Sequence, residues 1–484
     1  KYLLMRKDQE IMVMTAAKMF YFDMNTFEAA WNHHTPPIFY FFKLIFQFAD
    51  FVNIYEGFFI LYSALLISIN ILLYKLIYKL TDSNFVSLLF SLLFIFDISH
   101  TTAGEAILFD NRTIGIVFQI LLLLYSFKII ENLDQRNVVI WSLITSLCVF
   151  FLESYAVSLF IIYVFLVYKL GKFFLIYSQA TFFISTAIYG LILHLNNELY
   201  ETIQLNYIFH LFGTIRKRLP IEVFLNNGLF KQSDPVSWSS FFFIISVILL
   251  ILFIFVQKFK NIYKTKKYIF EIVYIFFLAE IIHLIFSGPR FINYFQLVLL
   301  FVYLLPIATL FYLFRNFKQQ EFIMFLSFIF LFFMFSFDNL NEILLYRFNN
   351  HQKVSNLTSE QKELVDYINK SNFDSSEIPE LNYIWGLDNN FEIYFRTNSL
   401  PSTRMWWWFN MYYIESSGYI FDSDKFYSKN FEDIFISDLN RESPKFIIIQ
   451  KNFISEPYFL KKHIEENYLL SHEIEGFKIF KIND

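Results

Sequence analysis

Charge and sulfur are scarce in this sequence. Only 17% of its 484 residues are Asp, Glu, Lys or Arg, and its one cysteine, Cys148, sits inside an apolar run. A single thiol excludes an intrachain disulfide, a redox pair and a thiolate metal cluster. A basic surplus is missing as well. With 39 Lys plus Arg against 43 Asp plus Glu, the formal charge is -4, which leaves no excess cations for a phosphate backbone and argues against nucleic acid as a partner. There is no internal repeat, and the C-terminal third has neither a Gly-rich phosphate loop nor a nucleophile–base signature.

Apolar surface is abundant instead. Ala, Val, Ile, Leu, Met, Phe, Trp, Tyr and Cys make up 56% of the chain, against about 45–50% apolar, glycine included, in an average soluble domain. The many Phe and Tyr residues follow the AT-rich codons that also favour Lys, Asn and Ile. The excess falls in nearly uncharged blocks of roughly 15–25 residues, the length a helix needs to cross about 30 Å of hydrocarbon. Spans are expected at 55–80, 84–98, 103–128, 138–152, 154–169, 173–195, 237–256, 268–287, 290–314 and 320–337. The apolar segment 38–50 is short for a crossing and suits an interfacial helix. The expected fold class is therefore a polytopic α-helical membrane protein with a C-terminal soluble α/β domain. Its parts are an outer loop at 1–54, a transmembrane domain of about ten spans at 55–337, and the soluble domain at 338–484.

Sidedness follows from Lys and Arg in the short loops. Lys75 and Lys79, Lys128 and Arg136, Lys169 and Lys172, the lysines at 258–267, and Arg315 with Lys318 fall at alternate span ends, which are expected to be cytoplasmic. Residues 1–54, the turn at 97–104, the loop 196–236, the turn at 287–290 and the C-terminal domain then lie outside. Arg216, Lys217 and Arg218 run against the rule, but long loops translocate largely regardless of charge.

The polar residues that are hardest to explain structurally gather on that outer side: Asp8, Glu10, Asp23, His33, His34, Asp97, His100, Glu105, Asp110, Arg112, His283 and Arg290. Ionisable groups inside a span are costly unless paired or facing water, which singles out Glu105, Asp110 and Arg112. Glu105 and Arg112 share a helix face at i,i+7, whereas Asp110 and Arg112 at i,i+2 do not. His33 and His34 have no third ligand at helical spacing, and no metal is indicated. Plainer roles stand beside these: Asp8 as a helix cap or solvated carboxylate, Arg290 as an interfacial anchor, and Trp406, Trp407 and Trp408 as a lipid-interface patch.

The opening stretch carries Asp8 and Glu10 ahead of an amphipathic segment, then His34, Pro36, Pro37 and Tyr40. This resembles the first outer loop of the GT-C glycosyltransferases. More narrowly, it resembles bacterial relatives of dolichyl-phosphate-mannose protein mannosyltransferase, glycosyltransferase family 39, and of the lipid A aminoarabinose transferase. Glu105 matches an acidic position at the outer end of a span. Gly288, Arg290 and Tyr294 resemble a Gly-Arg-x-x-x-Tyr stretch, with Pro289 inserted and Asn293 where a His is common. Trp385, Gly386, Tyr394, Pro401 and Arg404 are similar to the outer domain of bacterial members. Such proteins have a transmembrane helix directly before the acidic pair, so the resemblance implies that this chain lacks the first of about eleven spans.

The resemblance further implies a multi-pass inner (plasma) membrane enzyme of the cell envelope, with its active site and C-terminal domain extracytoplasmic. It would transfer a sugar, mannosyltransferase-like, from a polyprenyl-phosphate carrier to a hydroxyl acceptor with inversion, in contact with membrane lipid and without a required cofactor. Protein, glycolipid and wall polymer are all open as acceptors. Under that reading Asp8 is the base, with Asp23 in reserve. Glu10, His34, Glu105, Asp110 and Tyr294 bind substrate, while Arg290 and Arg112 bind the donor phosphate. A transporter or flippase for a lipid-linked or sugar substrate is the competing reading, since many spans with intramembrane charge also suit a pathway.

Overall fold

A computed structural model describes residues 7–30, 35–98, 111–152, 155–203, 238–256, 266–286, 296–314, 319–329, 357–371, 378–385, 392–404, 431–451 and 458–483. The N-terminal region folds as three helices, α1 (Lys7–Tyr21), α2 (Thr26–Ala29) and α3 (Pro36–Lys43), with short 3₁₀ turns at Leu44–Gln47 and Phe51–Asn53. The apolar blocks form α4 (Ile54–Thr81), α5 (Asn84–Ile98), α6 (Asn111–Glu131), α7 (Gln135–Phe151), α8 (Ala156–Leu195), α9 (Trp238–Phe255), α10 (Lys267–Phe286), α11 (Gln296–Leu313) and α12 (Gln320–Ile329). Three of these helices, from Glu56, Thr113 and Ala156, are long and apolar enough to cross a membrane by length and composition.

Helix α8 is 40 residues long, about twice what one crossing needs. Gly171 breaks it, with φ 72° and ψ −154° inside the helical run. A Cβ there would meet nothing within 4 Å, so glycine is required by the backbone conformation and not by crowding. The break falls between the spans expected at 154–169 and 173–195. Along α8, Phe160, Tyr168, Ile176, Phe183 and Ile188 are exposed. So large an apolar face is stable against hydrocarbon and not against water.

Contacts divide the chain into two units. The helical unit comprises Tyr62–Leu191 and Lys217–Asn350. Its core includes Trp141, Phe174, Phe270, Tyr274 and Phe301. Trp141 Nε1 donates to Ser126 Oγ at 2.9 Å. The hydroxyls of Ser142, Thr145, Ser178 and Thr309 donate to carbonyls four residues back, which lets them stay inside an apolar bundle. One end of this unit is marked by polar contacts: Lys79–Glu131 at 2.7 Å, Lys266–Asp82 at 2.6 Å, and Tyr312 Oη donating to Leu80 O at 2.9 Å. Residues grouped on one side by the Lys and Arg count therefore meet in space.

The second unit comprises Lys1–Leu61, Ile192–Arg216 and His351–Asp484. Helix α1 is buried from Glu10 to Met19, packing on α2, α3 and strand β2. The amphipathic pattern expected for this segment gives way to a helix enclosed on all sides, as its Met, Val and Ala content allows. At the start of α4, Gly57 lies so close to the first 3₁₀ turn that a Cβ would sit 2.7 Å from Ile45 Cγ2.

The C-terminal part holds α13 (Ser359–Ser371), β1 (Glu380–Trp385), α14 (Glu392–Arg396), β2 (Ser399–Pro401), α15 (Phe431–Glu442), β3 (Phe446–Gln450), α16 (Tyr458–Asn467), β4 (Tyr468–Ile474) and β5 (Phe477–Ile482). The sheet order is β2-β1-β3-β5-β4. Strand β1 pairs in parallel with β2 and β3, while β5 pairs antiparallel with β3 and β4. Strand β3, Phe-Ile-Ile-Ile-Gln, is buried over four consecutive residues, as expected for a central strand covered on both faces. The whole is a helical membrane protein with a C-terminal α/β fold.

Candidate functional site

In the second unit, Asp8 lies in the first turn of α1, and its side chain is outside the described residues. Glu10, two residues on, is buried. Asp23 follows the end of α1 in the left-handed region, φ 52°, and is exposed. His34, Glu105, Asp110, Arg290 and Tyr294 lie outside the described residues. Arg112 is placed in the first turn of α6 by its backbone alone.

The segment between α1 and α3 is shaped by two local devices. Asn25 caps α2, accepting at Oδ1 from Phe27 N and Glu28 N, and Glu28 Oε2 accepts from Asn25 N at 3.1 Å, a complete capping box. Downstream, α8 ends in a Schellman turn. Asn197 takes φ 56°, its N–H donates to His194 O, and Glu198 N donates to Leu193 O at 2.7 Å. That turn delivers Glu198, fully buried, to the first loop. Glu198 Oε1 accepts from Thr26 N at 2.7 Å. Tyr40 Oη donates to the same carboxylate, 3.4 Å from each oxygen, and Asn196 Nδ2 donates to Tyr40 Oη at 3.1 Å. Burial raises the Glu198 carboxyl above its ordinary range, against the lowering effect of the Thr26 and Tyr40 hydrogen bonds. Burial, then the Glu198 charge, raises the Tyr40 phenol.

A second cluster joins α1 to the α/β part within this unit. Lys18 is fully buried and donates from Nζ to Thr403 O at 3.3 Å. Burial lowers it from 10.5 to about 7, opposed by the Asp438 and Glu442 carboxylates and reinforced by Arg404 and Arg441. Arg404 is committed to Asp438: Nε lies 3.2 and 3.0 Å from the two carboxylate oxygens, Nη2 is 2.9 Å from Oδ1, and the Arg404 backbone N–H donates to Oδ2 at 3.0 Å. Asp438 is 1% exposed, so this bidentate pair is an internal staple. Tyr394 is likewise structural, its Oη accepting from Ile384 N at 3.1 Å.

The helical unit has a polar site of its own. Tyr155 Oη donates to Glu280 Oε1, and His283 Nδ1 lies 3.6 Å from Glu280 Oε2. All three are buried among apolar neighbours, and the Tyr155 and His283 rings meet edge to face at 5.8 Å. Buried ionisable groups in hydrocarbon are expected to be paired in this way. Among the described residues, no group of three or more His, Cys, Asp or Glu is placed to hold a metal ion.

Sequence reasoning singled out Tyr40, Arg404 and His283 but missed Lys18, Glu198 and Glu280. Glu280 carried a legible signal, an acid three residues before His283 in a helix otherwise rich in Ile and Phe. Asn-Asn-Glu directly after an apolar helix was a C-cap signal for Glu198. The burial of Lys18 depends on contacts 385 residues away and left no local trace.

No protein-family model matches the chain, and no curated protein matches it. Among solved structures, the chain is similar to the crystal structure of the Archaeoglobus fulgidus oligosaccharyltransferase in the apo form. Identity is 11% and the TM-score 0.48, over 93% of this chain and 66% of that one. The chain thus spans just under two thirds of the length of that protein.

Proposed function

We propose that this chain is an inverting GT-C-type glycosyltransferase that moves a sugar from a polyprenyl-phosphate carrier to a hydroxyl acceptor at the outer face of a cell-envelope membrane. One observation carries the reading. The regions 1–61, 192–216 and 351–484 gather into one unit. Apart from 55–61 and 192–195, which fall in expected spans, they belong to the segments that the Lys and Arg count assigns to the outer side, while 217–236 of the expected outer loop falls in the helical unit. This supports a shared extracytoplasmic body, which transfer at the outer face requires.

The chemistry assigns roles to the residues. A hydroxyl acceptor needs a base during attack, and Asp8, with Asp23 in reserve, takes that role. Direct inversion requires no covalent intermediate on a second carboxylate, so Glu10, Glu105 and Asp110 orient sugar or acceptor hydroxyls with His34 and Tyr294. The leaving group is a lipid phosphate, and the guanidinium of Arg290, with Arg112, stabilises the charge that develops on it. The donor carrier and membrane lipid are partners, and the acceptor is a hydroxyl of protein, glycolipid or wall polymer.

The test is reconstitution of the full-length protein with polyprenyl-phosphate sugars, following release of carrier phosphate. Asp8→Asn is expected to lower release at least ~100-fold, the scale of a lost general base. Equal release by both proteins removes Asp8 from the mechanism. No release by wild type with any donor, together with movement of labelled lipid across the bilayer, replaces the reading with transport.

A further inference from the structure

We infer that Glu198, with Tyr40 and Asn196, is a clasp that positions the first loop for sugar transfer. The inference rests on the proposed glycosyltransferase reading, but its geometry stands independently. A single carboxylate holds both ends of the segment 26–40: the Thr26 N–H at 2.7 Å and the Tyr40 hydroxyl 3.4 Å from each oxygen. Between these points lie His34 and the Pro36-Pro37 pair. Asn196 adds a third point by donating to Tyr40 Oη at 3.1 Å.

Burial argues that the contact is selective. A fully buried carboxylate is costly unless its acceptor capacity is used, and hydrogen bonds from Thr26 and Tyr40 use it. An amide at this position keeps an acceptor for Thr26 N and a partner for Tyr40 while shedding the buried charge. Glu198→Gln and Glu198→Ala therefore separate shape from hydrogen bonding.

Glu198 does not touch substrate in this scheme; it is a positioning residue that acts through the loop. The two ends it ties differ in their supports. Thr26 is otherwise held by the short α2, and Tyr40 stands on α3, which starts from the proline pair. Without the tie, the loop loses the link that sets the spacing between those helices. A loop set 1 Å off its productive place lowers turnover more than it lowers donor binding.

The experiment measures amide hydrogen exchange across 25–40, together with kcat and KM for release of carrier phosphate, in the full-length protein reconstituted in nanodiscs. Glu198→Ala should speed exchange by about 10- to 100-fold, the scale for loss of hydrogen bonds to a charged group. It should also lower kcat at least ~10-fold with KM changed less than ~3-fold. Glu198→Gln should restore both. If Glu198→Ala does not fold, Tyr40→Phe with Asn196→Ala supplies the same measurement. Unchanged exchange overturns the clasp. Faster exchange with unchanged kcat, or no rescue by Gln, overturns its positioning role. If wild type releases no phosphate from any donor, the glycosyltransferase reading fails and with it the catalytic role of the clasp, while exchange alone decides whether the clasp exists.

Discussion

Replacing Lys18 by methionine should stabilise the protein at neutral pH. Lys18 is fully buried, and its amine is lowered from 10.5 to about 7, with burial the largest cause. Between those two values the unfolded chain binds a proton that the folded chain does not, so stability rises with pH across that window. The penalty is whole below about 7 and gone above about 10.5. At 1.36 kcal/mol per pH unit it amounts to about 5 kcal/mol, an upper figure because the site relaxes when charged. Lys18→Met keeps the length and apolar stem of the side chain and removes the proton. It also removes the attraction to Asp438 and Glu442, which offsets part of the gain. Denaturant unfolding in detergent from pH 6 to 9.5, with hydrogen exchange of α1 amides, is the assay. Wild type should gain stability as pH rises through 7 to 9.5, and Lys18→Met should show a flatter profile and lie above wild type at pH 6. Parallel profiles, or a variant less stable than wild type at pH 6, would refute the reasoning.

Asp438→Ala removes the acceptor for three Arg404 donors and should cost roughly 3–5 kcal/mol of unfolding free energy, the range for breaking a buried ion pair; Arg404→Lys, which keeps the charge but not the bidentate fork, should cost less, and both are read from urea unfolding. Gly171→Ala forces a Cβ onto a backbone at φ 72° and ψ −154° and should lower stability by about 1–3 kcal/mol, although nothing crowds the site. A variant as stable as wild type at Gly171 would mean that the α8 break relaxes without cost.

The helices of the membrane unit were legible because a single property, apolar length, dictates them. The apolar ranges coincide with helices α4 to α12 to within a few residues at most ends, with 154–169 and 173–195 joined in α8, and three of these helices are long and apolar enough to cross. Strands β1, β3, β4 and β5 were legible from runs such as Phe446–Gln450, and α13 and α16 from their apolar spacing. Helix α15 was not, because Phe431–Glu442 mixes Asp and Glu with a single apolar face that propensity alone does not separate from a loop. Three-residue β2 is too short to carry a pattern. At the candidate site the limit was of a different kind. Residue type identified acids and guanidinium groups, but burial is a long-range property. Lys18 looks like any surface lysine until Thr403 and Asp438 close over it.

The bond from Lys18 to Thr403 joins residues 385 apart in the chain. At synthesis rates of about 5–20 residues per second, the opening helix emerges roughly 20–80 s before its partner exists. Helices α2 and α3 can cover part of α1 early, but the face that packs on β2 waits through that interval, while every helix from α4 to α12 is made in between. Burial of Lys18 thus waits on the α/β part, so a truncation ahead of Thr403 would leave even an intact α1 without the contact that closes over its amine.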